Sequence, residues 1–352
     1  MSLKGSKNLL VIRPDNMGDL LMSVPAIRAI KNTFGCKITV LCSSKSAEVV
    51  QLIEEIDDQI VFDLPWLSLN FANAEGLNQL VVFIKQRKFD SCVVFNVYSQ
   101  NPAPCIMLAY LAGIKLRAAY SRENLYRLVT HWLPDDEPLT VIRHQVTRDL
   151  NLAGFLGADS SDDRIRISET ALDTQLGILG QFGLKSSGYI VLHTGVSEKK
   201  RQYPRSHWIE LARLISKKYN VTIALTGTAN EQAFTEELAL EMGGDVKVLS
   251  GKTDLSALCS VIKQARGMVT LNTGPMHLAA ALDTPSVALY AQSNPQHKPY
   301  CTKSKVLEFS VPEGLQSKNE VIRFVNREQY ADFIPYPEAV MVMEALGDLI
   351  DE

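Results

Sequence analysis

The chain lacks the cysteine spacing that a disulfide framework or a zinc site needs. Its six cysteines, Cys36, Cys42, Cys92, Cys105, Cys259 and Cys301, include no CxxC pair, and several sit inside apolar runs such as ITVLC and SCVVFN. They read as buried free thiols in a reducing compartment. The chain also lacks a long hydrophobic run. In MSLKGSKNLLVIRPD the apolar stretch before Arg13 and Asp15 is too short for a signal peptide or a membrane span. A cytoplasmic protein that visits a membrane surface fits. Charge of one sign is missing too. Thirty-six Lys and Arg stand against 39 Asp and Glu, a net charge of −3, which argues against a dedicated nucleic-acid partner. There is no GxGxxG dinucleotide fingerprint and no GxxxxGK[ST] phosphate loop. No Asp-x-Asp stands at a strand end in the second half, so no bound metal is expected there.

What is present is an ordinary globular composition, 46% apolar and 21% charged, in 352 residues, enough for about two domains with full cores. Short apolar runs alternate with helical patterns. The first round reads as strand 8–13, a helix with Leu20, Leu21, Val24, Ile27 and Ile30 on one face, strand 37–42, helix 46–54, strand 59–62, helix 76–87 and strand 90–95. The polar stretch GLKSSG (183–188) suits a linker. Beyond it lie strand 189–193, a helix carrying Trp208, Leu211, Ala212 and Ile215, and strand 221–226. Helix 229–241, strand 246–248, helix 254–264, strand 267–271, helix 275–282 and strand 285–290 follow. Unalternated strands separated by helices indicate parallel sheets covered on both faces. We expect an α/β protein of two doubly wound, Rossmann-like domains facing across a cleft, with boundaries at 1–182 and 183–335. Residues 336–352 carry Val340, Met343, Leu346 and Ile350 on one face and read as a last helix, free to pack back on the N-terminal domain or on the second.

Open parallel sheets bind ligands beyond their strand C-termini, so the loops there are the candidates for chemistry. In Arg13-Pro14-Asp15-Asn16-Met17-Gly18-Asp19, Asp19 falls at a helix start. It is either a capping acid or a general base. Asn272-Thr273-Gly274-Pro275-Met276-His277 opens another helix, which is either a surface helix start with a packed His277 or an anion site at its free N–H groups, with His277 one turn in as a further donor. The basic loop Lys199-Lys200-Arg201 leaves a strand and is either solvated or a diphosphate clamp. Glu231 is a helix-start acid or a partner for a ribose diol. Arg117, Arg122, Arg127, Arg143 and Arg148 are scattered surface charge or a patch for an anionic substrate. LPWLSLNFANAEG (64–76) puts Trp66, Leu67, Leu69 and Phe71 in a loop that packs on the core or touches an amphiphilic acceptor.

Taken together these segments resemble the heptosyltransferase family, glycosyltransferase family 9. VIRPDNMGDLLMSVPAIRAIK is similar to its N-terminal signature, and LNTGPMHLAAALDTPSVALYAQSNPQHKP to its donor-domain signature. RQYPRSHWIELARLI resembles its Lys-x-Trp-Pro segment, and GKTDLSAL its Gly-x-Thr-x-Leu segment. The matches keep their order over nearly the whole chain. The resemblance implies a GT-B architecture. It implies inverting, metal-independent transfer, without a cofactor, from an ADP-heptose donor to an anionic glycolipid acceptor of the lipopolysaccharide core, at the inner membrane surface. It casts Asp19 as the catalytic base. It casts Arg201, Glu231, Asn272, Thr273, Gly274 and His277 as donor-binding residues. Arg117 and Arg122 are taken for acceptor binding. The chain departs from the family pattern at Asn272 (Asp in the family), Arg201 (Lys), Tyr203 (Trp) and Ala291 (Gly). These departures leave two alternatives open, another nucleotide sugar or acceptor, or a non-catalytic nucleotide-sugar binder.

Overall fold

The computed structural model describes residues 2–67, 74–168, 177–330 and 332–351. The chain divides into two compact units, Met1–Arg166 and Ile167–Glu352. The division precedes the GLKSSG stretch because Ile178, Leu179 and Leu184 are already buried in the second unit.

Unit 1 contains β1 (Asn8–Ile12), α1 (Met17–Phe34), β2 (Lys37–Cys42), α2 (Ala47–Val50), β3 (Asp58–Val61), α3 (Ala74–Gln86), β4 (Ser91–Val94), α4 (Ala103–Leu111), β5 (Leu116–Ser121), β6 (His131–Pro134) and α5 (Gln145–Phe155). Its six strands are parallel in the order β3-β2-β1-β4-β5-β6. β1 and β4 are buried on both faces, which is why they read as unbroken apolar runs. α1 stops where Gly35 turns to φ 60°, the left-handed cap that glycine adopts without strain. α4, β5, β6 and α5 escaped the periodicity analysis. α4 (APCIMLAYL) is apolar nearly all round, and α5 carries buried Gln145, Arg148 and Asp149 that break its apolar stripe. The expected helix 46–54 shrinks to the four residues of α2.

Unit 2 contains α6 (Ile178–Gln181), β7 (Tyr189–His193), α7 (Arg205–Tyr219), β8 (Thr222–Thr226), α8 (Gln232–Met242), β9 (Val246–Val248), α9 (Leu255–Lys263), β10 (Gly267–Leu271), α10 (Gly274–Ala281), β11 (Ser286–Ala291), β12 (Ser304–Phe309), α11 (Glu320–Gln329) and α12 (Ala339–Ile350). The parallel order is β12-β11-β10-β7-β8-β9. The terminal helix α12 lies on α7 and on β10, β11 and β12, so its apolar face closes the core of unit 2. Val342, Leu346 and Leu349 enter that core, each stabilising by about 1.5–3 kcal/mol when fully buried. Together the two sheets give the GT-B build of paired Rossmann-like domains. All six cysteines are free, and five are buried.

Candidate functional site

Each sheet has one place where the strand order reverses, and loops leaving the two strands there diverge to open a crevice. In unit 1 that place lies between β1 and β4. Asp15, after β1, accepts a hydrogen bond from Gln100 Nε2, after β4, at 2.7 Å. In unit 2 it lies between β7 and β10, where Arg201 Nη1 donates to the Asn272 carbonyl at 2.8 Å. A side-chain hydrogen bond thus bridges each reversal.

Asp19 does cap its helix. Its Oδ2 accepts from the Asn16 N–H at 3.1 Å, which fixes the carboxylate at the head of α1. Beneath it lies Arg13, fully buried, with Nη2 3.6 Å from Asp19 Oδ1 and Nη1 3.3 Å from Asp15 Oδ2. Arg13 Nε donates to the Asp19 carbonyl at 3.2 Å. Burial works against the Arg13 charge, but Asp15, Asp149 and Asp19 more than offset it and hold the guanidinium ionised. Burial raises Asp15, and the Arg13 charge opposes the rise. Behind them the buried Asp149 accepts from Ser23 Oγ at 2.6 Å and from Gln145 Nε2 at 2.7 Å, and burial pushes its carboxyl up to about 6. Periodicity could not find Arg13 or Asp149 as partners, because one ends a strand and the other lies 126 residues beyond Ser23.

The arginine cluster resolves differently from expectation, and Arg117 is a correction. It is buried, and its guanidinium donates to the carbonyls of Leu128 (2.7 Å), Lys115 (3.1 Å), Arg127 (2.9 Å) and Ile114. It staples the loop after α4 to the 126–128 turn, with little left for an acceptor. Arg148 is also internal, paired with Asp135 (2.7 Å) and Glu137, and Arg143 forks onto Asp136. Arg122 is exposed and is oriented by the carbonyls of Glu137 (3.1 Å) and Tyr98, at the loop ends of β6 and β4. It keeps its place as an acceptor-side candidate. Trp66 and Leu67 are exposed, while Leu69 and Phe71 lie outside the described residues.

In unit 2, Glu198 sits between Lys200 and Arg201, 2.7 Å from each. Burial works against its charge, but the Lys200 hydrogen bond and the Arg201 and Lys200 charges hold it below the usual carboxylate range. Thr194 Oγ1 and Arg201 Nε, in the same β7 loop, are buried without a hydrogen-bond partner in the protein. Glu231 accepts from Thr228 N at 2.7 Å and Thr228 Oγ1 at 2.9 Å, the role of a helix-start acid. Its carboxylate lies over Gly195, where a Cβ would stand 2.4 Å from both oxygens. At the head of α10, Pro275 has no N–H, while Thr273 N donates to Leu271 O and Met276 N to Thr273 O. Gly274 N–H therefore remains as the first-turn donor. His277 is buried on the same turn. The Asn272 carboxamide turns to β11, donating to Ala291 O at 3.2 Å and Ser293 Oγ at 3.3 Å and accepting from Ala291 N at 3.3 Å. An aspartate could not donate to that carbonyl, which gives the departure at this position a structural reason. Among the described residues no group of three or more His, Cys, Asp or Glu is placed to hold a metal ion.

The model of glycosyltransferase family 9 (heptosyltransferase) matches residues 104–322. The lipooligosaccharide heptosyltransferase 2 of Haemophilus ducreyi is 31% identical over 87% of this chain and 90% of its own. The lipopolysaccharide heptosyltransferase 2 of Salmonella typhimurium is 24% identical over 83% and 84%. Among solved structures, a family 9 glycosyl transferase from Veillonella parvula superposes with a TM-score of 0.78 at 19% identity, covering 99% of this chain and 98% of its own. The E. coli ADP-heptose heptosyltransferase II gives 0.72 at 22% identity, covering 97% and 98%. With the two parallel sheets already in place, these matches decide the family: the chain is a glycosyltransferase and belongs to glycosyltransferase family 9, the heptosyltransferases.

Proposed function

We propose that this enzyme moves a heptose from ADP-heptose to the lipopolysaccharide core, with inversion and without a metal. The observation that carries the reading is Asp19, a carboxylate held by Asn16 and backed by the buried Arg13 at the strand-order reversal of unit 1. Asp19 takes the proton of an acceptor hydroxyl as its oxygen bonds to the anomeric carbon. The bond from that carbon to the diphosphate oxygen breaks, and ADP leaves with the electron pair. Arg201, Lys200 and the Gly274 N–H stabilise the charge that builds on the leaving group. The incoming diphosphate displaces Glu198 from its two cations. Glu231 and His277 complete the donor side. The acceptor is an anionic glycolipid with Arg122 on its side, met at the inner membrane surface where the enzyme docks peripherally.

The test is transfer with ADP-heptose and a heptose-deficient lipopolysaccharide core, with the product anomer read by NMR. An inverted product made equally well in EDTA supports the reading. Retention of configuration, or loss of activity in EDTA with rescue by magnesium, overturns it. One observation favours a second reading, a different sugar on the nucleotide: Asn272 gives its carboxamide to Ala291 and Ser293, where the family resemblance implies an acid. A thermal-shift panel of ADP-, GDP- and UDP-sugars separates the two, since only a ligand of the folded state raises Tm.

A further inference from the structure

We infer that the outer face of α3 and α4 is a docking surface for an anionic lipid bilayer. The crossovers β3 to β4 and β4 to β5 step the same way along the sheet, so right-handed connections put α3 and α4 on one face. The two helices touch each other, and the Tyr126–Leu128 turn touches α4. Leu80 and Ile84 of α3 and Cys105, Ile106 and Ala109 of α4 point into the core of unit 1. The opposite side of the same helices is also apolar. It exposes Val82, Phe83, Met107, Tyr110 and Leu111, and the neighbouring turn exposes Tyr126. Neither helix has a folding reason to place these large apolar side chains outward, and a patch of this kind marks an interaction surface.

Charge identifies the occupant. The whole chain is net negative, yet residues 74–128 carry seven Lys and Arg against three Asp and Glu. Lys85, Lys88, Lys115 and Arg127 are exposed around the apolar patch, and among the described residues none of the four forms an ion pair with an acidic group. Aromatic and aliphatic side chains ringed by long cationic ones suit the interface of an anionic membrane, where Lys and Arg stems lie along apolar surface and their heads reach phosphates. A second copy of the chain fits less well. A two-fold interface sets a patch against itself, so these four cations would meet their own images. Protein interfaces are also depleted in lysine.

The inference deepens the membrane contact proposed above, but vesicle binding needs neither donor nor acceptor, so the two stand or fall separately. The measurement is co-sedimentation of the full chain with phosphatidylcholine vesicles with and without phosphatidylglycerol. The wild type is expected to bind the anionic vesicles and to be released by salt. Phe83→Asp with Leu111→Asp removes apolar insertion. Lys85→Glu with Lys88→Glu removes attraction and touches only solvated side chains, so folding is not at risk. Each pair should weaken binding by about tenfold or more while leaving transfer to a water-soluble acceptor unchanged. Failure of the wild type to bind anionic vesicles overturns the inference. So does binding that survives either pair of substitutions. A dimer in light scattering that the aspartate pair dissolves, or an acidic protein that competes the vesicles off, would also overturn it by assigning the face to another occupant.

Discussion

The two units share a sheet architecture but differ in what they bury. Unit 1 encloses Arg13, Arg28, Arg117, Glu137, Arg148 and Asp149. Among the described residues, unit 2 buries no Arg, Lys, Asp or Glu; its interior polar groups are His193, His277, Asn272, Gln292, Gln296 and hydroxyls. Removing ions from water is costly unless they are paired and hydrogen-bonded. Unit 1 meets that cost with networks, Arg13 among Asp15, Asp19 and Asp149, and Arg148 between Asp135 and Glu137. The result is a set of carboxylates fixed in place beside buried guanidinium groups. Unit 2 keeps its cations Lys200 and Arg201 partly solvated and, among the described residues, paired with the one carboxylate of Glu198, an arrangement that another anion can enter.

The strongest way to break this contrast is at Asp19. Asp19→Asn keeps an acceptor for the Asn16 N–H, so stability should change by about 1 kcal/mol or less. Single-turnover transfer should fall roughly 10²–10⁴-fold, with donor affinity unchanged. Near-wild-type transfer would return Asp19 to capping alone. Next is Arg148→Met, which takes the paired guanidinium from Asp135 and leaves the buried Glu137 the longer contact to Arg143, at 4.0 Å. Unfolding in urea should show a loss of about 3–5 kcal/mol, reported first by Trp132 of unit 1 and not by Trp208 of unit 2. A loss of under about 1 kcal/mol would mean the network contributes no more than a surface pair.

In unit 2 the same kind of substitution should leave the fold intact. Arg201→Ala is expected to weaken ADP-sugar binding by about 10–100-fold in calorimetry, the worth of one charged hydrogen bond. Unchanged affinity would take the β7 loop out of the donor site.

The smallest effect sharpens the contrast through pH. Asp149 is raised to about 6 by burial, against the Arg13 charge. Its contribution to stability is whole below its ordinary value of 3.8 and is lost as pH rises through about 6. His193 is lowered to about 4 by burial, against the Glu231 charge. Its contribution is present above 6.5 and lost as pH falls through about 4. Between these limits the two units respond in opposite directions, each by something on the order of 1–3 kcal/mol. Asp149→Asn should therefore steepen the acid loss of stability, and His193→Gln should flatten it. Parallel pH profiles for wild type and both variants would refute the assignment.

Much of this protein is determined by local sequence. Runs such as YIVLH, KITVLC and GMVTL become β7, β2 and β10 with the expected bounds, because an apolar stretch of that length buried on both faces has few other solutions. The loops after β1, β7 and β10 were equally legible, since an apolar run ending in polar residues before a helical period marks a strand C-terminus wherever the strand lies in the sheet. Tertiary structure decided the rest, through pairs far apart in the chain. Asp15 meets Gln100 85 residues on, Ser23 meets Asp149 126 residues on, and Arg201 meets the Asn272 carbonyl 71 residues on. It also decided that Arg117 staples a loop while Arg122 stays exposed, although both read alike as arginines near strand ends. A side chain's type sets which bonds it can make. Which of them it makes depends on the groups that strand order brings beside it and on how much water remains there.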